Sequence, residues 1–288
     1  MLLLDPRKDH IKFWRPQMLL LVNNPRSCCA LIDFVNTLKK GGLYVIGHVD
    51  LGRIESLKTD PCARSHSGWL SLVDHLKIKA FIELTVAPSV REGIHQLVRI
   101  SGIGAMKPNT IVLGFRDDTY PSDDFNSPFS PYATSAFEGV FPTVRQRPRR
   151  TSVFQELEIR PTESEKRMSK EEFVGIIGDI LKLRKNVCLS RHFQGLNKAS
   201  LFEEMHSKSS IFGSSKHLRK TLYLDVWLVD FFSPWHLTNV SDTSSLFILQ
   251  LACIVNMVPR WKKMQIRVFI CAKENYSENE NSKQNSSR

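Results

Sequence analysis

The sequence predicts an α/β protein built on a doubly wound parallel sheet. Short apolar runs without polar alternation, such as Met18 to Val22, are typical of strands buried on both faces. Between these runs, apolar residues recur every three or four positions, which is the spacing of a helix with one buried stripe. The 288 residues, 42% hydrophobic and 24% charged, are enough to bury a sizeable core. Strands that alternate with helices in this way favour a parallel sheet.

The first strand–helix–strand unit lies near the start of the chain. Residues 18–22 form the expected first strand. Ser27 is of the residue type that caps helices, and the apolar stripe that follows predicts a helix over 28–39. Gly41-Gly42 ends this helix, and the apolar residues 43–49 form the second strand. The crossover between the two strands is expected to be right-handed.

The same alternation continues to residue 115. The expected elements are a polar connection over 50–67, a short helix over 68–77, a strand over 79–86, a helix that Pro88 opens and Ser101-Gly102 closes, and a strand over 110–115. We therefore assign residues 10–115 to a first α/β subdomain.

The composition and periodicity of the sequence change after Phe115. Residues 116–168 contain six prolines, many serines and no sustained periodicity, which predicts disorder. Ser169 and Glu172 then match a capping box, which predicts the start of a new helix. A strand over 222–229, a helix over 242–258 and a strand over 264–272 predict one more βαβ unit, which is an incomplete second half. The expected divisions are a long disordered insertion over 116–168, a helical connector over 169–219, a partial second α/β subdomain over 220–272 and a disordered tail over 273–288.

Charge and cysteine content exclude several classes of protein. The net charge of +11 is scattered along the chain without a basic stripe interleaved with aromatics, so we expect no nucleic-acid binding. None of the six cysteines stands in a CxxC pair, which indicates reduced thiols and no zinc site. The longest apolar stretch, Leu246 to Val258, is shorter than the roughly 20 residues that a bilayer span needs.

Two segments carry a resemblance to a known family. The stretch KFWRPQMLLLVNNPRS near the start and the stretch SGIGAMKPNTIVLGF after residue 100 resemble the carboxy-terminal domain of cation–chloride cotransporters, solute carrier family 12. The match is dense over 10–115, where it is nearest to a divergent branch of the family, and it resumes over 225–271. The residues that carry the family motifs are Phe13, Trp14, Arg15, Pro16, Lys107, Pro108, Asn109 and Thr110.

The resemblance implies both a fold and a role. Family members place this domain on the cytosolic side of a membrane, after a bundle of transmembrane helices, and its fold is similar to universal stress proteins. It mediates dimer contacts and regulation of transport. We therefore expect a detached regulatory piece that forms a homodimer or pairs with full-length cotransporters, without the membrane bundle and without enzymatic activity or a cofactor. The alternatives are a free universal-stress-type nucleotide-binding protein and a fragment that interferes with full-length cotransporters.

Two groups of residues invite a catalytic or ligand-binding interpretation. The glycines of Ser101 to Pro108 follow a helix, whereas a phosphate cradle needs glycines that precede one, so a helix-to-strand turn is expected. Asp117-Asp118 and Asp123-Asp124 are paired carboxylates in the Pro-rich insertion, and we expect them to be solvated loop charges.

The sharpest predicted site lies in the insertion. Arg149 and Arg150 precede Thr151 and Ser152 at a spacing that basophilic kinases favour, with Ser152 the better match. A phosphate there would add about −1.5 to −2 charge among arginines. The same basic run, Arg145 to Arg150, is also suited to weak contact with an anionic membrane surface.

Overall fold

The computed structural model describes residues 15–104, 106–116, 122–127, 130–133, 168–196, 221–228, 243–259, 261–262 and 264–270. They belong to two compact units, which divide after Lys208. The elements of the first unit are β1 (Met18–Leu21), α1 (Cys29–Leu38), β2 (Tyr44–Leu51), α2 (Pro61–His75), β3 (Phe81–Ala87), α3 (Val90–Ile100), β4 (Thr110–Gly114), α4 (Lys170–Lys182) and β5 (Asn186–Ser190).

The first unit is organised around a five-stranded sheet in the order β3-β2-β1-β4-β5. Every neighbouring pair in it is parallel, with Met18 opposite both Tyr44 and Thr110. The chain moves outward from β1 through β2 to β3 and then returns to the other side of β1 for β4. This reversal makes the sheet doubly wound, and it confirms the predicted fold class.

Helices cover both faces of this sheet. On one face Leu19, Val45 and Ile111 pack with residues of α3 and α4 in a single buried cluster. On the other face the Tyr44 hydroxyl donates to the Ile32 carbonyl of α1 at 2.9 Å. Burial on both faces explains why the central strands have unbroken apolar sequences.

The described residues 168–196 are not a connector. Helix α4 buries Ile176 and Ile180 against the first core. Strand β5 pairs with β4, with Asn186 opposite Thr110, and completes the sheet. The expectation of a helical connector was wrong here because β5 is a half-exposed edge strand. Its residues, NVCLS, therefore lack the apolar run that marks the buried strands.

Two helix starts also differ from expectation. Helix α2 begins at Pro61 and not at Gly68, because Asp60 caps it by accepting from the Cys62 amide at 2.9 Å. Its first turns are mostly exposed and carry no apolar stripe. Helix α3 begins after Ser89, whose side chain accepts from the Glu92 amide, so Pro88 lies just outside it.

The described residues of the second unit form the predicted βαβ unit. Its elements are β6 (Tyr223–Leu228), α5 (Thr243–Met257) and β7 (Gln265–Ile270), and the two strands are parallel. On the outer surface Arg267 forms two 2.7 Å bonds with Asp225. Within the described ranges, no helix combines the length and the apolar character that crossing a membrane requires.

Candidate functional site

A doubly wound sheet usually binds its ligand at the carboxyl ends of the strands, where the winding reverses. In this protein that position lies between β1 and β4. Helix α1 starts at Cys29, a few residues beyond the end of β1, so its amino terminus lies at the same edge. The exposed amides of a helix amino terminus attract anions, so a phosphate ligand would be expected at this position.

The position is filled by the chain itself. Residues 122–127 and 130–133, which we call the strap, lie against the start of α1. The Asp124 carboxylate accepts from the Cys29 amide at 3.1 Å, and the Asp124 amide donates to the Arg26 carbonyl at 2.8 Å. The Arg26 guanidinium pairs with Asp123 at 2.5 Å. A carboxylate of the protein thus occupies the place of an anionic ligand.

Aromatic residues fix the rest of the strap. The Phe125 side chain is only 3% exposed, with Arg26 over its ring at 5.6 Å and the His75 ring edge-on at 5.2 Å. The Tyr132 hydroxyl donates to Asp33 of α1 at 3.2 Å, and a His75 ring nitrogen lies 3.0 Å from the Tyr132 carbonyl. The strap is therefore packed against α1 and α2.

These contacts correct two expectations. The insertion is not disordered throughout, because the strap has defined contacts with the first unit. Asp123 and Asp124 are not solvated loop charges, since the first forms a salt bridge and the second caps a helix 95 residues away in sequence. The cap also replaces Ser27, which makes no capping bond to α1. Asp117-Asp118 lie outside the described residues.

The electrostatics of this region argue against nucleophilic chemistry. Burial raises the pKa of the Cys28 thiol to about 11, and it raises that of Cys29 well above the ordinary value. Burial raises the pKa of Asp124 too, an effect that the bonds from Cys29 oppose and the nearby Asp123 charge increases. At neutral pH both thiols are protonated, and a thiol in that state is a poor nucleophile.

Open depressions border this edge in the described part of the chain. One, of about 560 Å³, lies at the carboxyl ends of β2 and β3 and is lined in part by Arg53, Glu55 and Cys62. The other, of about 190 Å³, lies between the strap and the turn after β5, and Asp124 and Tyr132 are among its lining residues. Burial raises the pKa of Cys62 to about 12, with Asp50 and Asp60 adding to the shift.

The family-motif residues that the structure describes lie at the opposite edge of the sheet. The Asn109 side chain accepts from the Gln17 amide at 2.9 Å and donates to the Arg15 carbonyl at 2.8 Å, which ties the segment before β1 to the start of β4. Pro16, Pro108 and Thr110 are buried, while Arg15 and Lys107 are exposed. Phe13 and Trp14, like the predicted phosphorylation residues Thr151 and Ser152, lie outside the described residues.

The glycines of 101–108 form a turn, as the sequence predicts. Gly102 and Gly104 have φ angles of +78° and +57°, and a Cβ on Gly102 would lie 2.1 Å from the Met106 carbonyl oxygen. The turn follows α3 and leads into β4, so it stands at the amino edge of the sheet. Its geometry accounts for glycine without a phosphate ligand.

Comparison with known proteins agrees with the motifs. The family model described as Solute carrier family 12 matches residues 28–126. Solute carrier family 12 member 9 of Danio rerio is 44% identical over 283 residues, which cover 94% of this chain and 29% of the relative. The Homo sapiens member 9 is 43% identical over 273 residues, covering 94% of this chain and 28% of the relative.

A more distant match supports the same class. The vacuolar cation-chloride cotransporter 1 of Saccharomyces cerevisiae is 32% identical over 288 residues, covering 95% of this chain and 24% of the relative. The chain is therefore a cotransporter-related protein. The recognition of solute carrier family 12 is confirmed, and so is the similarity to its divergent branch, which is member 9. The chain spans less than a third of the length of these relatives.

Sequence reasoning did not find the strap. Its buried apolar residues among those described, Phe125 and Ala133, lie in a stretch rich in serine and proline, so no periodicity marks it. The start of α1 gave no warning either, because Ser27 is a suitable capping residue and only the structure shows that α1 lacks a cap from its own segment.

Proposed function

We propose that this chain is a cytosolic regulatory and dimerising domain of a cation–chloride cotransporter-like membrane protein. The parent protein mediates or modulates chloride-coupled cation transport, with potassium as the cation. The observation that carries the proposal is the strap, because a domain whose ligand position is filled by its own carboxylate is better suited to protein contacts than to catalysis.

Association is the first property to test. We expect the chain to form a homodimer in sedimentation-velocity experiments, or to co-purify with a full-length member 9 protein when both are expressed together. A chain that stays monomeric at high concentration and leaves the full-length protein uncomplexed contradicts the proposal. Co-purification that also lowers transport by the full-length protein would favour the interfering fragment.

A free nucleotide-binding protein is the second candidate. In the proposed state the Asp124 carboxylate repels a phosphate from the amino terminus of α1. Titration calorimetry with ATP is therefore expected to give no heat of binding. Saturable binding by the natural chain would favour the second candidate over a regulatory domain.

Phosphorylation is the proposed means of control. Ser152 is the expected acceptor for a basophilic kinase, and Thr151 is the second choice. Mass spectrometry of the protein from stimulated cells tests the assignment, with Ser152→Ala as the control. Ser152 that stays unmodified under every stimulus contradicts it.

A further inference from the structure

The amino edge of the first sheet is basic in every turn. Because all five strands are parallel, the turns that lead into them lie along one edge. Each of these turns carries at least one basic residue, and α3 adds another in its last turn. The residues are Arg15, Lys39, Lys40, Lys77, Lys79, Arg99, Lys107, Arg184 and Lys185. We call this surface the basic edge.

Acidic residues are absent from the same turns. The described stretches 15–17, 39–43, 76–80, 101–104, 106–109 and 183–185 contain neither aspartate nor glutamate. The acids nearest to them along the chain are Asp74, in the last turn of α2, and Glu83, inside β3. The opposite edge differs, since Asp50, Asp60 and the strap acids lie there. Among the described residues, the unit is thus polarised, and the turns of one edge carry charge of a single sign.

Contacts across the turns make the basic edge continuous. The Lys39 ammonium donates to the Lys79 carbonyl, which links the turns before β2 and β3. The Asn109 amide donates to the Gln17 carbonyl at 2.9 Å, and the Asn186 amide donates to the Asn109 carbonyl at 2.9 Å. Burial and then the neighbouring positive charge lower the pKa of Lys39 and of Lys185.

Backbone strain marks some of these positions. Lys40, Lys77 and Arg184 have φ angles of +33°, +51° and +55° at the ends of α1, α2 and α4. Glycine adopts this conformation without steric cost and is the usual residue there. The helix dipole favours cations at these ends. The helix dipole does not account for Lys79 or Lys107, because these two residues lie outside helices.

An exposed apolar tip projects from the basic edge. Ile103 is 88% exposed, Ile100 is 66% exposed and Met106 is 53% exposed. Ile100 is the last residue of α3, and the turn that carries Ile103 and Met106 is closed by a 2.9 Å bond from the Met106 amide to the Ile103 carbonyl. Apolar side chains flanked by lysine and arginine are typical of segments that lie at the boundary between lipid headgroups and acyl chains.

We propose that the basic edge, with Ile103 at its tip, rests on an anionic lipid bilayer. The cations bind headgroups, and the tip enters the interface. The inference rests on the proposed function in one respect, since a membrane parent holds the domain beside a bilayer. Residues 15–17, which precede β1, also reach the sheet at this edge. The surface is distinct from the Arg145 to Arg150 run.

The test is co-sedimentation of the full chain with vesicles. The chain is expected to bind vesicles of mixed phosphatidylserine and phosphatidylcholine, and it is not expected to bind vesicles of phosphatidylcholine alone. The edge variant combines Lys40→Gly and Arg184→Gly, which preserve the left-handed backbone, with Lys107→Gln. Each lost cation is expected to weaken partition about fivefold, so the three together weaken it about a hundredfold. The control variant, Arg53→Gln with Lys58→Gln and Arg64→Gln, removes equal charge from the opposite edge and is expected to bind nearly as the natural chain does.

A second variant tests the tip and guards against misfolding. Ile103→Ser removes only an exposed side chain, and it is expected to weaken partition about tenfold while leaving the dependence on salt in place. Equal losses from the edge and control variants would overturn the proposal. So would binding that disappears only when Arg145 to Arg150 are replaced, or a chain that ignores vesicles and instead binds an acidic protein.

The same variants separate this inference from the proposed function. If the basic edge serves the membrane and not association, sedimentation velocity of the edge variant gives the oligomeric state of the natural chain. Lost vesicle binding with association unchanged supports the inference. Normal association by a natural chain that never binds anionic vesicles overturns the inference and leaves the proposed function standing.

Discussion

The Asp124 cap offers the most direct test of the strap. The Cys29 amide at the start of α1 is bonded to Asp124 at 3.1 Å, and Ser27 makes no capping bond. Replacement of a capping side chain by alanine typically costs about 1 kcal/mol. Asp124→Ala is therefore expected to lower the free energy of unfolding of the first unit by that amount.

Asp124→Asn separates the hydrogen bond from the charge. Its amide oxygen still accepts from Cys29, and asparagine caps helices as well as aspartate does. Burial raises the pKa of Asp124, so folding disfavours its ionised form. The charge thus lowers stability above the ordinary carboxyl pKa, and stability is regained as the pH falls. At pH 7 the asparagine variant is expected to equal or exceed the natural chain.

Hydrogen–deuterium exchange of peptides from α1 and the strap measures both effects. The alanine variant is expected to exchange the first turn of α1 about fivefold faster, which corresponds to the loss of about 1 kcal/mol. The asparagine variant is expected to exchange at the natural rate or more slowly. Equal protection in the alanine variant and the natural chain would refute the assignment of Asp124 as the cap.

Three further predictions concern the first unit. A hydrogen bond from Arg91 lowers the pKa of Asp179 and joins α3 to α4. The Asp179 carboxylate therefore stabilises the fold at neutral pH, and this stabilisation is lost as the pH falls below the ordinary carboxyl pKa. In urea titrations at several pH values, Asp179→Asn is expected to reduce the loss of unfolding free energy at acid pH. Gly104→Ala is expected to cost about 1–2 kcal/mol, the cost of alanine in a left-handed conformation. Gly102→Ala is expected to cost more, because only its Cβ meets a carbonyl oxygen. Equal urea midpoints for the two variants would contradict this. Asn109→Ala removes two bonds to the segment before β1 and is expected to cost about 1–3 kcal/mol, seen as faster amide exchange in that segment.

The buried strands and their helices follow from the sequence alone. Strands such as β1 and β2 are covered on both faces, so almost every residue in them must be apolar, and the run is visible in one dimension. The capping box at Ser169 is also local, and the structure places its bond to the Glu172 amide at 3.0 Å. The second βαβ unit was predictable for the same reasons.

Elements at the surface of the sheet needed the tertiary structure. Strand β5 is a half-exposed edge strand, and the first turns of α2 are mostly exposed, so neither carries the pattern of a buried element. The strap depends on contacts across about 95 residues, such as that between Asp124 and Cys29. The spacing of apolar residues along the sequence does not indicate a contact between such distant positions.

The sequence by itself determined the fold class, the order of most elements and the family, because each depends on local spacing or on motif residues such as Asn109. Only the tertiary structure decided that the ligand position is filled by Asp124 and that the basic turns share one edge. Both facts arise from the folding of a parallel sheet, which brings distant turns together at its edges.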